Sequence, residues 1–299
     1  MFSKTLRKDN YGYLFIAPFF VIFIVFGLYP ILYSFYLSFT DWDGFTSPVI
    51  VGFENYQRLL GDFFFYKTLF NTLAIWIVSV IPQLTISLVL AVILHEKFVK
   101  GKSFFRAVFF FPNIVTAASL GLLVALIFSW QTGSFNQFLM AMGIISDPIQ
   151  WTDKPYFMRG LVSSILFWQY FGYSMIIYIA GLQGISRDLL EAAEMDGASK
   201  IKVFFRITLP LLRPIILFQV VTSIIGGMQI FDQPYTLTDG SGQPDNATLT
   251  SVMYLYETAF TRYQYGYGSA VAFGLFLVIV VFSIISFTTM NIRTKNQQN

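Results

Sequence analysis

The sequence contains no cysteine, so disulfide bonds and thiolate metal sites are both excluded. Charged residues make up only 12% of the 299 residues, whereas soluble domains usually have about 25%. Hydrophobic residues account for 56% of the chain. A composition with so few charges and so many apolar residues predicts a membrane protein with little soluble mass of its own.

A nucleotide-binding motif is also missing. Gly101, Lys102 and Ser103 imitate the end of a phosphate-binding loop, but that motif needs a glycine where this sequence has Glu96. The single histidine, His95, has no neighbours in the sequence that would complete a metal site. We therefore expect no catalytic residue, no metal and no cofactor on this chain, and the small net charge of +3 gives no reason to expect a nucleic-acid partner.

Six apolar segments are each about 20 residues long, which is enough to cross a bilayer as a helix. The predicted spans are Tyr13–Leu37, Leu69–Leu94, Ala107–Ser129, Gly160–Leu182, Leu211–Ile230 and Ala270–Met290. They predict an all-α, multi-pass membrane protein in which a six-helix domain (13–290) lies between a short N-terminal segment (1–12) and a short tail (291–299).

Lysine and arginine are distributed unequally between the connections. The first, third and fifth connections hold five of the 19 basic residues, namely Arg58, Lys67, Lys154, Arg159 and Arg262. The other fourteen lie in the N-terminal segment, the second and fourth connections and the tail. Because cytoplasmic loops carry the excess of positive charge, both termini and the fourth connection are predicted to be cytoplasmic.

The fourth connection contains a polar segment, residues 186–210, that has the features of a docking element. Leu190, Ala193 and Gly197 follow helical i, i+3, i+7 spacing and so share one face. Several small residues would let another surface approach the backbone closely. Ser186 is suited to begin the helix and Gly197 to end it. The alternative, an amphipathic helix lying on the membrane surface, is disfavoured by the narrow apolar face.

The same segment resembles the EAA signature of binding-protein-dependent ABC importer permeases. The match consists of Glu191-Ala192-Ala193, then Gly197, then Ile207-x-Leu209-Pro210. The resemblance implies the type I permease fold of ABC importers, with this segment as the cytoplasmic coupling helix that sits in a cleft of the ATPase subunit. The coupling residues that it implies are Glu191, Ala192, Ala193, Asp196, Gly197, Ile207, Leu209 and Pro210.

Further pieces are similar to the first of the two permeases of carbohydrate importers, the maltose and multiple-sugar type. They include Val51-Gly-Phe-Glu-Asn-Tyr, Asn71-Thr72, Phe105-Arg106, Ala180-Gly-Leu-Gln-Gly-Ile and Phe231-Asp-x-x-Tyr-x-Leu-Thr. This resemblance implies a bacterial-type cell membrane and four kinds of contact: a second permease subunit, two ATPase subunits that hold ATP and Mg, an extracytoplasmic sugar-binding protein, and the lipid bilayer. The chain lacks the extra N-terminal helices and the large external domain of the longer maltose permease pattern.

Uncharged polar, aromatic and small residues mark the fourth and fifth predicted helices. The candidates for a substrate pathway are Trp168, Gln169, Tyr170, Tyr173, Ser223, Gly226, Gly227 and Gln229. Amides can hydrogen-bond sugar hydroxyls while aromatic rings pack on the apolar faces of sugars. The same residue types also serve helix–helix packing, so both interpretations stay open. The near absence of charge at membrane depth favours a neutral substrate.

Three other functions compete with a sugar permease. An ABC permease for another neutral or phosphorylated solute, such as glycerol 3-phosphate, would favour arginine or lysine near the pocket in the phosphorylated case. A stand-alone secondary carrier would need a coupling-ion site and usually inverted repeats, and neither is visible. A membrane scaffold would leave the EAA match unexplained. The sequence therefore predicts the permease subunit of an ATP-driven importer for a sugar or oligosaccharide.

Overall fold

The computed structural model of the chain describes residues 11–96 and 98–295, with side chains from 12 to 96 and from 98 to 289, and this part is mainly helical. Residues 1–10, Lys97 and 296–299, which enter the predictions about the termini and the charge distribution, lie outside the described residues. The helices are α1 (Tyr11–Ile22), α2 (Tyr29–Leu37), α3 (Glu54–Leu60), α4 (Phe63–His95), α5 (Lys102–Ile114), α6 (Ala117–Ile127), α7 (Ser134–Ala141), α8 (Pro155–Gln183), α9 (Arg187–Met195), α10 (Lys200–Val203), α11 (Leu209–Leu211), α12 (Arg213–Met228), α13 (Asp232–Leu237), α14 (Ser251–Tyr256) and α15 (Tyr265–Lys295).

Four stretches of the described chain are single helices long and apolar enough to cross a membrane: Gly12–Leu37, Phe63–His95, Pro155–Gln183 and Tyr265–Thr289. The first of them joins α1 to α2 through a π-helical stretch, Phe23–Leu28. They correspond to the first, second, fourth and sixth predicted spans. Most of them begin or end several residues away from the prediction.

The third and fifth predicted spans reach the length needed to cross a membrane only as pairs of helices with a bend between them. The third consists of α5 and α6, which meet at an angle of 89°, and the fifth follows the segment Lys200–Leu211 at an angle of 63°. The number of spans is therefore six only if each bent pair counts as one. The first bend arises because Val115 and Thr116 are extended and the Thr116 hydroxyl accepts the Ser119 N–H, which starts a new helix.

The contacts divide the chain into two compact units. The smaller one comprises the chain up to Asp62 together with Leu255–Gly274. It contains a short antiparallel hairpin of β1 (Thr40–Asp41) and β2 (Val49–Ile50). The buried Asn55 amide donates to the carbonyls of Ser38 and Thr40 at 3.0 and 2.8 Å, which fixes α3 against the start of this hairpin.

The larger unit comprises Phe63–Tyr254 and the chain from Leu275 onward. Its core is built on the packing of α4 against α8, with α5, α6, α12 and α13 around them. Small residues permit the closest approaches, as is usual for helices in lipid. A Cβ atom on Gly172 would lie 1.8 Å from the Phe109 carbonyl oxygen, so α5 and α8 pack at this distance only because residue 172 is glycine.

Buried amides organise two connections of the larger unit. Asn136 is completely buried, donates to the carbonyls of Trp130 and Ile149, and accepts from the Ile149 N–H and the Trp151 indole. Asn71 plays the same part for the connection before α14, where its amide donates to the carbonyls of residues 246 and 249. These connections are therefore held in place by side chains rather than by regular backbone pairing.

Candidate functional site

The larger unit contains a half-open cavity of about 290 Å³ between α4, α8, α12 and α13, with a contribution from the start of α6. This volume is close to the lower end of the range typical of ligand pockets, about 300–1,000 Å³. The residues that line it are Trp76, Ser79, Gln83, Ala117, Leu166, Tyr170, Tyr173, Ser174, Gln219, Thr222, Ser223, Gly226, Gly227, Gln229, Ile230, Phe231, Asp232 and Gln233.

Four glutamine amides line the cavity, and three of them are oriented by other residues. Gln83 donates to the Ser174 hydroxyl at 2.9 Å, and Gln219 donates to the Ser174 carbonyl at 3.1 Å. Gln233 donates to the Gln169 side-chain oxygen at 2.8 Å. Gln229, in contrast, is exposed. A donor or acceptor whose direction is fixed by a neighbour loses little conformational entropy when it binds a ligand.

The aromatic part of the wall is formed by Trp76 on α4, by Tyr170 and Tyr173 on α8, and by Phe231 just before α13. The Trp76 indole lies directly against α12, because a Cβ atom on Gly227 would be only 2.0 Å from its Cδ1 atom. The Trp76 Nε1–H is buried and has no hydrogen-bond partner among the described residues. Burying such a donor without a partner costs about 1–3 kcal/mol.

Six of the eight predicted pathway residues line this cavity: Tyr170, Tyr173, Ser223, Gly226, Gly227 and Gln229. The other two do not. Trp168 lies on another face of α8 and is 43% exposed, whereas Gln169 is buried. The Gln169 amide donates to the carbonyl of Val115 at 3.2 Å, so it satisfies a backbone group at the bend between α5 and α6.

Sequence reasoning missed the contribution of α4 and of the start of α13. Trp76, Ser79 and Gln83 follow i, i+3, i+7 spacing, so a polar stripe on the second predicted helix was a signal that could have identified them. Asp232 and Gln233 come directly after the fifth predicted span and enter the cavity wall because the chain turns at Phe231 into α13. No local pattern predicts that turn.

The predicted docking segment forms the short helix α9, followed by a tight turn. Gly197 has a left-handed φ of +78°, its N–H bonds the Glu194 carbonyl, and the Ala198 N–H bonds the Ala193 carbonyl. These two bonds form a Schellman motif, which requires a left-handed residue after the helix end. Gly197 therefore ends the helix as predicted. Ser186 precedes the helix in an extended conformation, but its side chain makes no capping bond.

None of the residues of α9 is buried within the chain. Glu191, Ala192, Asp196 and Gly197 are exposed, and Ala193 is half-buried. The remaining residues of the signature form the junction to α12: Ile207 lies in a π-helical stretch (Phe204–Thr208), and Leu209 and Pro210 begin α11, all three half-buried. The exposed face of α9 and its small residues are thus available to a second surface, while the junction is packed.

Comparisons with known proteins agree with this arrangement. Residues 72–294 match the family described as "Binding-protein-dependent transport system inner membrane component". The chain is 36% identical to the lactose transport system permease protein LacF of Rhizobium radiobacter over 95% of this chain and 96% of that protein. It is also 36% identical to the arabinooligosaccharides transport system permease protein AraP of Bacillus subtilis, over 93% of this chain and 88% of that protein.

A solved structure has the same fold. It belongs to a bacterial ABC transporter involved in the import of the acidic polysaccharide alginate. The TM-score is 0.78 at 22% sequence identity, and the alignment covers 96% of this chain and 97% of that one. This likeness establishes the permease fold of an ABC importer for the chain. The sequence identity is too low to transfer the substrate of that transporter to this chain.

Proposed function

The chain belongs to the family of binding-protein-dependent transport system inner membrane components, and we propose that it is the permease subunit of an ABC importer for a sugar or oligosaccharide. The cavity between α4, α8, α12 and α13 is the observation that carries this proposal. The names of the similar permeases LacF and AraP, which refer to lactose and to arabinooligosaccharides, support the sugar assignment.

The wall of the cavity has the chemistry that a sugar requires. Aromatic rings of Trp76, Tyr170 and Tyr173 offer apolar surfaces for the C–H faces of a pyranose or furanose ring. Oriented amides of Gln83 and Gln233 offer hydrogen bonds to hydroxyl groups. Ligand pockets are typically lined by such apolar surfaces with a few polar groups that fix the orientation. We assign the predicted pathway residues in the cavity wall to contact with the passing sugar.

The proposed mechanism couples this cavity to ATP hydrolysis on other chains. Two ATPase subunits, which hold ATP and Mg, close on the cytoplasmic side and move the docking segment 186–210. Ala192 and Ala193 allow close contact with the ATPase cleft, Glu191 supplies a charge for a basic group there, and Gly197 keeps the turn after α9 compact. Pro210 transmits the movement because it lies in α11, the last turn before α12, which lines the cavity.

The other partners follow from the same assignment. A second permease subunit completes the transport pathway, and an extracytoplasmic binding protein delivers the sugar. The excess of Lys and Arg in the even-numbered connections supports a cytoplasmic position of the docking segment and of both terminal segments (1–12 and 291–299) in a bacterial-type cell membrane. In this scheme the transmembrane domain 13–290 holds no cofactor.

Uptake by the reconstituted complex tests the proposal. The complete transporter, with its binding protein, would be placed in proteoliposomes with ATP, and uptake of lactose, maltose, trehalose and arabinooligosaccharides would be measured. Tyr173→Ala, which opens the aromatic wall, should lower uptake of the transported sugar about tenfold, the equivalent of about 1.4 kcal/mol of lost contact. Trp168→Ala is the matched control on the same helix, because Trp168 lies outside the cavity, and it should leave uptake within about twofold.

Two results would contradict the proposal. Failure of every sugar to enter, with an active ATPase, would favour the alternative of another solute such as glycerol 3-phosphate. Equal effects of Tyr173→Ala and Trp168→Ala would remove the cavity from the pathway, even if a sugar were transported.

A further inference from the structure

One side chain of the cavity wall carries a formal charge. Among the described residues that line the cavity, Asp232 is the only acidic residue, and no lysine, arginine or histidine accompanies it. Asp232 is exposed within the chain, lines the cavity and occupies the first turn of α13. It therefore shares the cavity wall with Tyr170, Tyr173 and Phe231.

The charge of Asp232 is not neutralised within the described chain. Ion pairs there join Lys200 to Glu96 and Arg262 to Glu257, and Asp232 forms none. The N-terminal end of α13 is a favourable place for a carboxylate because the helix N–H groups carry partial positive charge. An exposed carboxylate at this position is tolerated without a cation, and it leaves an unpaired negative charge in the cavity wall.

We propose that Asp232 is a charge filter, which restricts the cavity to sugars that are neutral or positively charged and rejects uronates and sugar phosphates. This inference rests on the proposed function and specifies its substrate class. The fold does not decide the matter, because a permease structure of the same fold comes from a transporter for an acidic polysaccharide. The charge of the accepted substrate depends on the residues of the cavity wall, and the carboxylate of Asp232 would repel an anionic sugar.

The size of the effect follows from the size of the cavity. A sphere of 290 Å³ is about 8 Å across, and two unit charges at about 8 Å with an effective dielectric constant of about 40–80 change an equilibrium or a rate about two- to sixfold. A cationic and an anionic probe respond to the carboxylate in opposite directions, so the two factors multiply. The ratio of their reaction rates should therefore change by about six- to thirtyfold. A change of that size is easy to measure.

The absence of cysteine from the chain provides a direct test. A single cysteine introduced as Thr222→Cys, at a residue of the cavity wall, would be examined in the full transporter with its other subunits made cysteine-free. Its reaction rates with a cationic reagent, 2-(trimethylammonium)ethyl methanethiosulfonate, and an anionic one, 2-sulfonatoethyl methanethiosulfonate, would each be divided by the rate with a small free thiol.

Neutralising the carboxylate by Asp232→Asn should lower the cation-to-anion rate ratio about six- to thirtyfold. The control Asp239→Asn removes a carboxylate from the connection that follows α13, at a residue outside the cavity wall, and should leave the ratio within about twofold. An unchanged ratio in Asp232→Asn, or an equal fall in Asp239→Asn, would overturn the filter.

The ligand itself is tested with an isosteric pair, methyl α-glucoside and methyl α-glucuronide. Each would be offered as a protectant of the thiol introduced by Thr222→Cys against neutral methyl methanethiosulfonate. The glucoside should protect in both backgrounds, and the glucuronide only after Asp232→Asn. Equal protection by both compounds when Asp232 is present would overturn the substrate class. If neither compound protects but Asp232→Asn still lowers the cation-to-anion rate ratio as expected, the sugar pathway at this cavity is refuted. The electrostatic effect of Asp232 on the cavity would then still hold.

Discussion

Two adjacent glycines on α12 should respond in opposite ways to the same substitution. A Cβ atom on Gly227 would lie 2.0 Å from Cδ1 and 2.8 Å from Nε1 of Trp76, whereas a Cβ atom on Gly226 meets nothing within 4 Å. Both residues are helical, so alanine gains about 1 kcal/mol of helix propensity at either position. Only Gly227→Ala forces the indole out of its place in the cavity wall.

The magnitude follows from this difference. Overpacking a well-packed contact costs about 1–3 kcal/mol, and the propensity gain cancels between the two variants. Gly227→Ala should therefore be about 1–3 kcal/mol less stable than Gly226→Ala, which for a chain of this size corresponds to a melting temperature lower by about 2–12 °C. Because Trp76 lines the cavity, Gly227→Ala should also reduce sugar uptake, while Gly226→Ala should not affect stability adversely.

Thermal unfolding of the purified transporter, measured in the same detergent for both variants, checks the stability difference, and uptake in proteoliposomes checks the functional one. The double variant Gly227→Ala with Trp76→Leu removes the clash together with a buried donor that lacks a partner in the described structure, so its loss should be smaller than the sum of the two single losses. Equal melting temperatures for the two alanine variants, or strict additivity in the double variant, would refute the proposed contact.

Three further substitutions test other parts of the structure. Gly197→Ala places a Cβ atom at a left-handed φ of +78°, which costs about 1–2 kcal/mol. It should reduce ATP-driven uptake more than Gly197→Asn, since asparagine tolerates this conformation. Equal uptake by the two variants would contradict the role of the turn. Asn136→Leu leaves the Trp151 indole and several backbone groups unpaired and should lower stability by about 2 kcal/mol or more in thermal unfolding, so an unchanged midpoint would argue against the buried network. Gln169→Leu frees the Val115 carbonyl and should cost about 1–3 kcal/mol with no loss of membrane insertion; native stability would exclude its part at the bend.

Hydropathy predicted the location of the spans, since lipid requires long apolar helices wherever the chain crosses. It did not predict that the third span bends by 89°. Local signals existed there, because Pro112 precedes the bend and Thr116 caps the helix that follows. A bend at membrane depth is tolerated only if the freed backbone groups find partners, and the partner of Val115 is Gln169, which is 54 residues later in the chain.

The docking segment was the part most accessible to sequence reasoning. Its conformation depends on local rules, namely helical spacing and a glycine that can adopt a left-handed φ at position 197. The cavity is different, because it depends on which helices face each other. Tyr170 and Tyr173 were found as candidates because they cluster in one predicted helix. The stripe that contains Trp76 was missed, because only the packing of α4 against α8 and α12 shows that this face lines the cavity.

The contrast between Gln169 and Gln233 connects the bend with the cavity. Gln233 lies in the cavity wall and is held by Gln169, and Gln169 in turn holds the Val115 carbonyl at the bend between α5 and α6. A movement of the third span that breaks the bond to Val115 would leave the Gln169 amide, which accepts the hydrogen bond from Gln233, without that anchor. A cavity-lining amide and the bent span are therefore parts of one hydrogen-bonded chain, and we expect a conformational change at the bend to alter the orientation of Gln233.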